Sequence, residues 1–152
     1  MCRVGSAKFT WIWIAWVRQT LLDMATQEDI REICSRLPGS LEGRDQFGFS
    51  VLVKGKAKGF VWSWRERTDP KKPRIINDAV VAIVVPNGVA KQAILDSDPD
   101  KYFTEPHYDG FNAVLVRLES VSHDEIEDLL IEAWKCKAPK ALLEAYLADH
   151  QE

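Results

Sequence analysis

The chain is poor in cysteine, and it lacks the spacings that turn cysteine and histidine into metal sites. Its 152 residues include three cysteines, Cys2, Cys34 and Cys136, which form no CxxC pair, and no HExxH sequence is present. Zinc sites normally draw their ligands from such closely spaced sets, so we expect no metal cofactor. Free thiols in a reducing compartment are the simplest interpretation, with Cys34 and Cys136 buried as small apolar side chains on helix faces.

Patterns for phosphate-binding loops and for membrane helices are also absent. No GxGxxG or P-loop sequence occurs, and the apolar run Phe9–Val17 is far shorter than the roughly 20 residues that a spanning helix needs. Hydrophobic residues make up 46% of the chain and charged residues 28%, which is typical of globular proteins. We therefore expect one cytoplasmic domain with an ordinary core, no cofactor and no membrane partner.

Residues 1–23 differ from the rest of the chain. The run Phe9–Val17 follows two cations and resembles the core of a signal peptide, but no small-x-small cleavage site comes after it. Three interpretations stay open: an extension or start-site artefact before Met24, a packed extra element, or a targeting segment. We divide the chain into an N-terminal extension at 1–23 and a domain at 24–152.

Positive charge is concentrated in the segment Lys54–Arg74, which we call the basic arm. The basic arm carries eight cations and two anions in a chain of net charge −3, whereas Asp96–Glu152 carries fourteen acids and five bases. A basic patch on an acidic protein can bind a polyanion such as nucleic acid, and tryptophans beside it can stack on bases. The candidate contacts are therefore Lys54, Lys56, Lys58, Trp62, Trp64, Arg65, Arg67, Lys71, Lys72 and Arg74.

Two other interpretations of the basic arm need no ligand. Its first three lysines alternate, which is typical of the solvent face of an edge hairpin, and Trp62 and Trp64 would share a face packed in the core. The cations of residues 65–74 would then pair with the acidic helices of the same domain. These interpretations stay open beside the binding one.

Apolar spacing predicts the order of the helices and strands. Capping boxes at Thr26 and Ser122 predict two helix starts, and alternation over 47–64 predicts a hairpin. Ala79–Val85 predicts a buried central strand, reached through a proline-punctuated connection at 65–77. Strands joined by hairpins, with helices grouped at the ends, indicate a single α+β domain of two layers, with a mainly antiparallel sheet and helices on one face.

The loop 104–110 is the best candidate for chemistry outside the basic arm. Glu105, His107 and Asp109 occupy alternate positions, where they could supply metal ligands or, with His107, a general base. Three side chains on one short loop rarely close a site unaided, so we predict no catalytic residue and no metal ligand. We keep Glu105, His107, Tyr108 and Asp109 as an alternative pocket.

Several runs of residues resemble the MmcQ/YjbR family of small bacterial proteins. They are Phe60–Arg67, Pro70–Arg74, Tyr102–Phe111, Ala113–Leu118 and Ala133–Lys140, and the resemblance extends over almost all of the chain after residue 23. It implies a YjbR-like α+β fold of the double-wing and frataxin-like kind, and a DNA-binding role. The family offers no catalytic residues to carry over.

From these observations we expect a non-catalytic, DNA-binding module that acts through a basic hairpin and loop. Its affinity should show little sequence specificity and should fall steeply with salt, because phosphate contacts release counterions. The alternative is a small-molecule- or protein-binding domain that uses the loop 105–110 and the sheet face, so a small-molecule ligand stays open.

Overall fold

Four α-helices, two short 3-10 helices and six strands are found in residues 24–150, the part of the chain that the structure, a computed structural model, describes. The predicted N-terminal extension at 1–23 lies outside the described residues, as do residues 151–152. In chain order the elements are α1 (Gln27–Ser35), β1 (Ser40–Glu42), β2 (Gly48–Val53), β3 (Lys56–Glu66), β4 (Ile75–Val84), α2 (Gly88–Ser97), β5 (Tyr102–Phe103), β6 (Ala113–Arg117), α3 (His123–Lys137) and α4 (Lys140–Asp149).

The six strands form one sheet in the order β1-β2-β3-β4-β6-β5, with every neighbouring pair antiparallel. The predicted hairpin is confirmed as β2 and β3, joined by the two-residue turn Lys54–Gly55. Both turn residues have positive φ, 52° at Lys54 and 79° at Gly55. Positive φ at both positions suits the right-handed twist of the two strands, and glycine adopts it without steric cost.

The helices pack on one face of the sheet and form a core that we call the helix-side core. Ile30 of α1 and Ile126, Leu130 and Trp134 of α3 are fully buried in it. The indole Nε1 of Trp134 donates a hydrogen bond to the carbonyl oxygen of Pro38 at 3.0 Å, so this large side chain is buried with its polar atom satisfied. The predicted two-layer α+β fold, with its helices on one face, is confirmed.

Both predicted capping boxes are present. The hydroxyl of Thr26 accepts a hydrogen bond from the backbone N–H of Asp29 at 3.1 Å, and the hydroxyl of Ser122 accepts one from Glu125 at 3.2 Å. Met24 forms a β-bridge with Ser122, which ties the segment before α1 to the start of α3. The two helices therefore begin side by side on the sheet.

Two predictions about the strands need correction. The irregular connection between β3 and β4 is residues 67–74, shorter than the predicted 65–77, because β3 continues to Glu66 and β4 already begins at Ile75. The apolar pattern does not show these extensions, since the residues that pair there are mostly exposed. Strand β1 was not predicted, because three residues carry too little alternation to indicate a strand.

The cysteines differ in burial. Cys34 is buried on α1 as predicted, and burial, with the nearby negative charge of Glu42 adding to it, raises the pKa of its thiol to about 12. Cys136 is exposed, so its predicted burial is wrong. Ala133 and Trp134 occupy the buried side of this end of α3, which leaves Cys136 on the solvent side.

The opposite face of the sheet carries a second set of buried side chains, which we call the outer-face cluster. No α-helix of the described residues contributes to it; a short 3-10 helix in the loop between β5 and β6, Pro106–Tyr108, brings Tyr108 onto this face instead. The cluster is Trp64, Val80, Ala82, Tyr108, Ala113 and Leu115, with Trp62 and Phe103 partly buried at its margin. The loop that the sequence singled out thus packs beside the basic arm.

Candidate functional site

The basic arm is divided into two patches by strand β3. Lys54 lies in the turn before β3, Lys56 and Lys58 lie at the start of β3, and we call these three lysines the hairpin patch. The other cations, Arg65, Arg67, Lys71, Lys72 and Arg74, lie at its far end and form the loop patch. At about 3.3 Å per strand residue, Lys56 and Arg65 are roughly 30 Å apart along β3. The cations that are neighbours in the sequence therefore form two separate surfaces.

The hairpin patch is fully exposed. Lys58 pairs with Val51 and Lys56 with Val53 in the β2–β3 ladder, while Lys54 lies in the turn. None of the three lysines forms a salt bridge with an acid among residues 24–150. Their charges therefore project into solvent at one end of the sheet.

The loop patch is fixed by hydrogen bonds to the loop's own backbone and to Asp69. Arg67 Nη1 donates to the carbonyl oxygen of Pro70 at 3.1 Å, and the backbone N–H of Lys71 donates to Asp69 Oδ1 at 2.9 Å. The ammonium groups of Lys71 and Lys72 form no salt bridge within the described chain. The interpretation in which these cations pair with the acidic helices therefore has no support from this geometry.

Arg74 is the exception, and its partner belongs to a loop rather than to a helix. Its Nη1 lies 3.1 Å from Glu105 Oε1, and both side chains are about one-fifth exposed. The same nitrogen donates to the backbone carbonyl of Arg65 at 2.9 Å. This contact links the end of the basic arm to the predicted alternative pocket.

A cavity of about 370 Å³ lies where the two predicted sites meet, and we call it the arginine pocket. It is lined by side chains from the loop patch, from β3, from the β5–β6 loop and from the segment before β2. They are Gln46, Trp62, Arg65, Arg74, His107 and Tyr108, with Ser63 completing the wall. The tertiary structure therefore joins one end of the basic arm and the alternative pocket into a single site.

The two arginines of the pocket are held by hydrogen bonds that leave most of their donors unused. Arg65 Nε donates to Gln46 Oε1 at 2.8 Å, and Gln46 Nε2 in turn donates to the carbonyl of Ser63 at 2.7 Å. A guanidinium has five N–H donors. Arg65 uses one of them and Arg74 uses two, both on Nη1, in contacts with residues 24–150. The remaining donors belong to side chains that line the cavity, where an anion could accept from them.

Aromatic side chains form the other wall of the site. Trp62 Nε1 donates to the hydroxyl of Tyr108 at 3.1 Å, and the Trp62 and Phe111 rings meet edge-on with centroids 6.1 Å apart. Burial raises the pKa of the Tyr108 hydroxyl more than the Trp62 hydrogen bond lowers it, so the group is neutral at neutral pH. A second cavity of about 160 Å³, which we call the aromatic pocket, lies between Trp62, His107, Tyr108 and Phe111.

Lys91 of helix α2 fixes the backbone of the loop. Its ammonium nitrogen donates to the carbonyl oxygens of Tyr108 at 2.7 Å and Phe111 at 2.9 Å. Two charge-assisted hydrogen bonds from one side chain restrain two of the residues that line the aromatic pocket. The shape of the site therefore depends on a residue that does not line it.

The remaining predicted site residues lie away from the cavity. Trp64 is 8% exposed and packs edge-on against Phe103 with ring centroids 5.3 Å apart, so it belongs to the core and not to a stacking surface. Asp109 is exposed and does not line either pocket. Glu105 contributes through Arg74.

Sequence reasoning missed three residues of the site. Gln46, Lys91 and Phe111 are far apart in the chain and match no motif. Gln46 precedes β2 and reaches Arg65 only because β2 and β3 pair. Phe111 carried no sequence signal, because a single exposed apolar side chain is common on protein surfaces.

Groups that could hold a metal ion lie elsewhere, at the starts of α1 and α3. Asp29, Glu32 and His123 form one such group, and His123, Asp124 and Glu127 form another. Asp29 already accepts the hydrogen bond that caps α1, and the other side chains lie at the surface. Exposed acidic groups of this kind are common without an ion.

The fold and the site define a single-domain α+β protein with a cationic pocket on the outer face of an antiparallel sheet. No protein-family model matches the chain. It is similar to uncharacterised proteins of Mycobacterium bovis and Mycobacterium tuberculosis, with 43% identity over 70 residues, 46% of this chain and 54% of each of those proteins. The chain thus spans about half the length of the curated relatives it matches.

A solved structure has the same fold. The crystal structure of Deinococcus radiodurans protein DR2400, a DUF419 domain, matches with a TM-score of 0.57 and 20% identity, covering 80% of this chain and 88% of that one. These bacterial relatives indicate no catalytic function. In residues 24–150, no helix combines the length and apolar character needed to cross a membrane.

Proposed function

We propose that this protein is a non-catalytic nucleic-acid-binding module that holds the phosphate backbone with the loop patch and the hairpin patch. The observation that carries the proposal is the near absence of salt bridges among the eight cations of the basic arm. Arg74 alone among them forms a salt bridge with an acid of residues 24–150. Unpaired surface cations are the groups that neutralise phosphates and release counterions.

The spacing of the two patches supports a duplex as the ligand. From Lys56 in the hairpin patch to Arg65 in the loop patch, β3 extends roughly 30 Å at about 3.3 Å per residue. One turn of B-DNA measures about 34 Å, so phosphates one turn apart have a spacing similar to this distance. The hairpin patch presents lysines on a two-stranded ribbon, and the loop patch presents them on a short loop that hydrogen bonds hold in place.

The same observations support membership of the MmcQ/YjbR family as a proposal. The runs that resemble this family include most of β3, part of the loop patch and the β5–β6 loop, and the DUF419 domain that shares the fold is related to the YjbR/MmcQ fold. The proposed absence of catalysis rests on chemistry: among residues 24–150, no hydrogen bond joins His107 to the hydroxyl of Ser63, to Tyr108 or to Glu105, so no paired nucleophile and base is assembled in the cavity.

Fluorescence anisotropy with a labelled 20-base-pair duplex across a salt series tests the proposal. We expect affinity for the duplex to fall steeply as salt rises, and the double variant Lys71→Glu, Lys72→Glu to lose about tenfold or more at low salt. The matched control is the double variant Lys137→Glu, Lys140→Glu, which makes the same change of charge in the helix layer, away from both patches. No binding at low salt, or equal losses in both double variants, contradicts the proposal.

A further inference from the structure

We propose that the arginine pocket and the aromatic pocket together bind one nucleoside phosphate, with the phosphate at the arginines and the base at the aromatic side chains. The proposal goes beyond binding of a nucleic acid's phosphate backbone, because it concerns a cavity rather than the exposed lysines. It requires neither the hairpin patch nor Lys71 and Lys72.

The two cavities adjoin and share three residues, Trp62, His107 and Tyr108. One cavity adds Arg65 and Arg74, and the other adds only an aromatic ring, Phe111. A site with a cationic half and an aromatic half fits a ligand that joins an anion to a flat ring. The larger cavity, at about 370 Å³, is already within the range of small-molecule pockets, about 300–1,000 Å³.

The cationic half is suited to phosphate in particular. Guanidinium groups present planar forks of N–H donors that bind phosphate oxygens two at a time. Arg65 is held by the hydrogen bond that its own Nε donates to Gln46. Arg74 is held by the two hydrogen bonds that its Nη1 donates to Glu105 and to the backbone carbonyl of Arg65. Because both arginines are already ordered, less conformational entropy is lost when an anion binds.

The aromatic half explains an exposed side chain that the fold does not need. Phe111 is 49% exposed, although it lies edge-on to Trp62 and to Tyr108, with the Tyr108 and Phe111 ring centroids 6.3 Å apart. Bases stack on such rings irrespective of sequence, because every base has a π-face. Lys91 holds the Phe111 backbone in place and so keeps the ring at the mouth of the pocket.

Two sources supply this chemistry, a free nucleotide and the phosphorylated end of a single strand. Isothermal titration of the full chain with adenosine monophosphate, adenosine and inorganic phosphate addresses the first. Titration with a short single strand, with and without a 5′-phosphate, addresses the second. We expect the monophosphate, the phosphorylated strand, or both to bind, and the matching ligand without phosphate to bind at least about tenfold more weakly, since charge-assisted bonds are lost.

Substitutions in each half of the site test which part of the ligand that half binds. Arg65→Met should weaken binding of the nucleotide and of inorganic phosphate alike, whereas Phe111→Ala should weaken the nucleotide and leave inorganic phosphate unchanged. Both side chains are exposed, so neither substitution threatens folding. The double variant Lys71→Glu, Lys72→Glu should weaken duplex binding but leave nucleotide binding to the pocket unchanged. The two proposals can therefore fail independently of each other. Failure of every phosphorylated ligand to bind, or binding unaffected by Arg65→Met, overturns it.

Discussion

The indole N–H of Trp62 donates a hydrogen bond to the hydroxyl of Tyr108 at 3.1 Å, across 46 positions of the chain. This bond joins strand β3 to the loop between β5 and β6, and both residues line the arginine pocket and the aromatic pocket. The wall that the two cavities share is therefore held by one side-chain contact between distant parts of the sequence.

Replacing Tyr108 by Phe removes the acceptor of this bond while keeping the ring. We expect the free energy of unfolding to fall by about 1 kcal/mol, the usual net value of a hydrogen bond whose donor is left partly buried. Urea denaturation followed by circular dichroism measures it. Tyr102→Phe is the matched control, since no hydrogen bond of its hydroxyl is found among residues 24–150. Equal stability of the two variants would show that the Trp62 bond contributes nothing.

Removing the charge of Lys91 should loosen the loop without altering the lining of either pocket. Lys91→Met leaves the carbonyls of Tyr108 and Phe111 without their ammonium donor. We expect faster amide hydrogen exchange at residues 108–112, because the loop then opens more frequently. The exposed substitution Lys72→Met is the control and should leave this exchange unchanged. Exchange as slow as in the unsubstituted protein would argue against the restraint.

Neutralising Glu105 should have opposite effects on stability and on anion binding. Glu105→Gln removes the only acid that pairs with Arg74 in the described chain, so the arginine pocket gains one unit of positive charge. We expect inorganic phosphate to bind more tightly at low salt and the free energy of unfolding to fall by up to about 1 kcal/mol. Isothermal titration and urea denaturation measure the two quantities. Glu119→Gln, an exposed change outside the site, should alter neither.

The buried thiol of Cys34 should make the protein less stable at alkaline pH. Burial raises the pKa of this thiol from 9.0 to about 12. Between pH 9 and pH 12 the thiol of Cys34 is therefore deprotonated in the unfolded chain but still protonated in the folded chain. The thiol's contribution to stability is therefore complete below pH 9 and is lost as pH rises toward 12, by at most about 1.4 kcal/mol per pH unit.

Urea denaturation at several pH values, comparing the protein with Cys34→Ala, isolates this contribution. The variant should be less stable near neutral pH and should show a shallower decline above pH 9. Mass-spectrometric mapping after a thiol reagent at pH 8 should find Cys136 modified and Cys34 protected. Modification of both thiols at similar rates would contradict the burial of Cys34.

Features that depend on neighbouring residues were readable from the sequence. The capping boxes at Thr26 and Ser122, the β2–β3 hairpin and the two-layer α+β class follow from side-chain spacing, because capping bonds and strand alternation act over two to four residues. Strand β1 and the extensions of β3 and β4 were not readable. Their pairing partners, and not their own side chains, hold them in the sheet.

The same distinction between local and tertiary information applies to the candidate site. Composition identified the cations of Lys54–Arg74 and the loop at 104–110 as the segments with binding chemistry, since charge and turn residues are local properties. Tertiary structure separated the basic arm into two patches at the ends of β3 and buried Trp64 against Phe103. It also brought Arg65 and Arg74 to His107. Such contacts span dozens of residues, and they exist only because β3, β4 and β6 pair edge to edge, which no short stretch of sequence encodes.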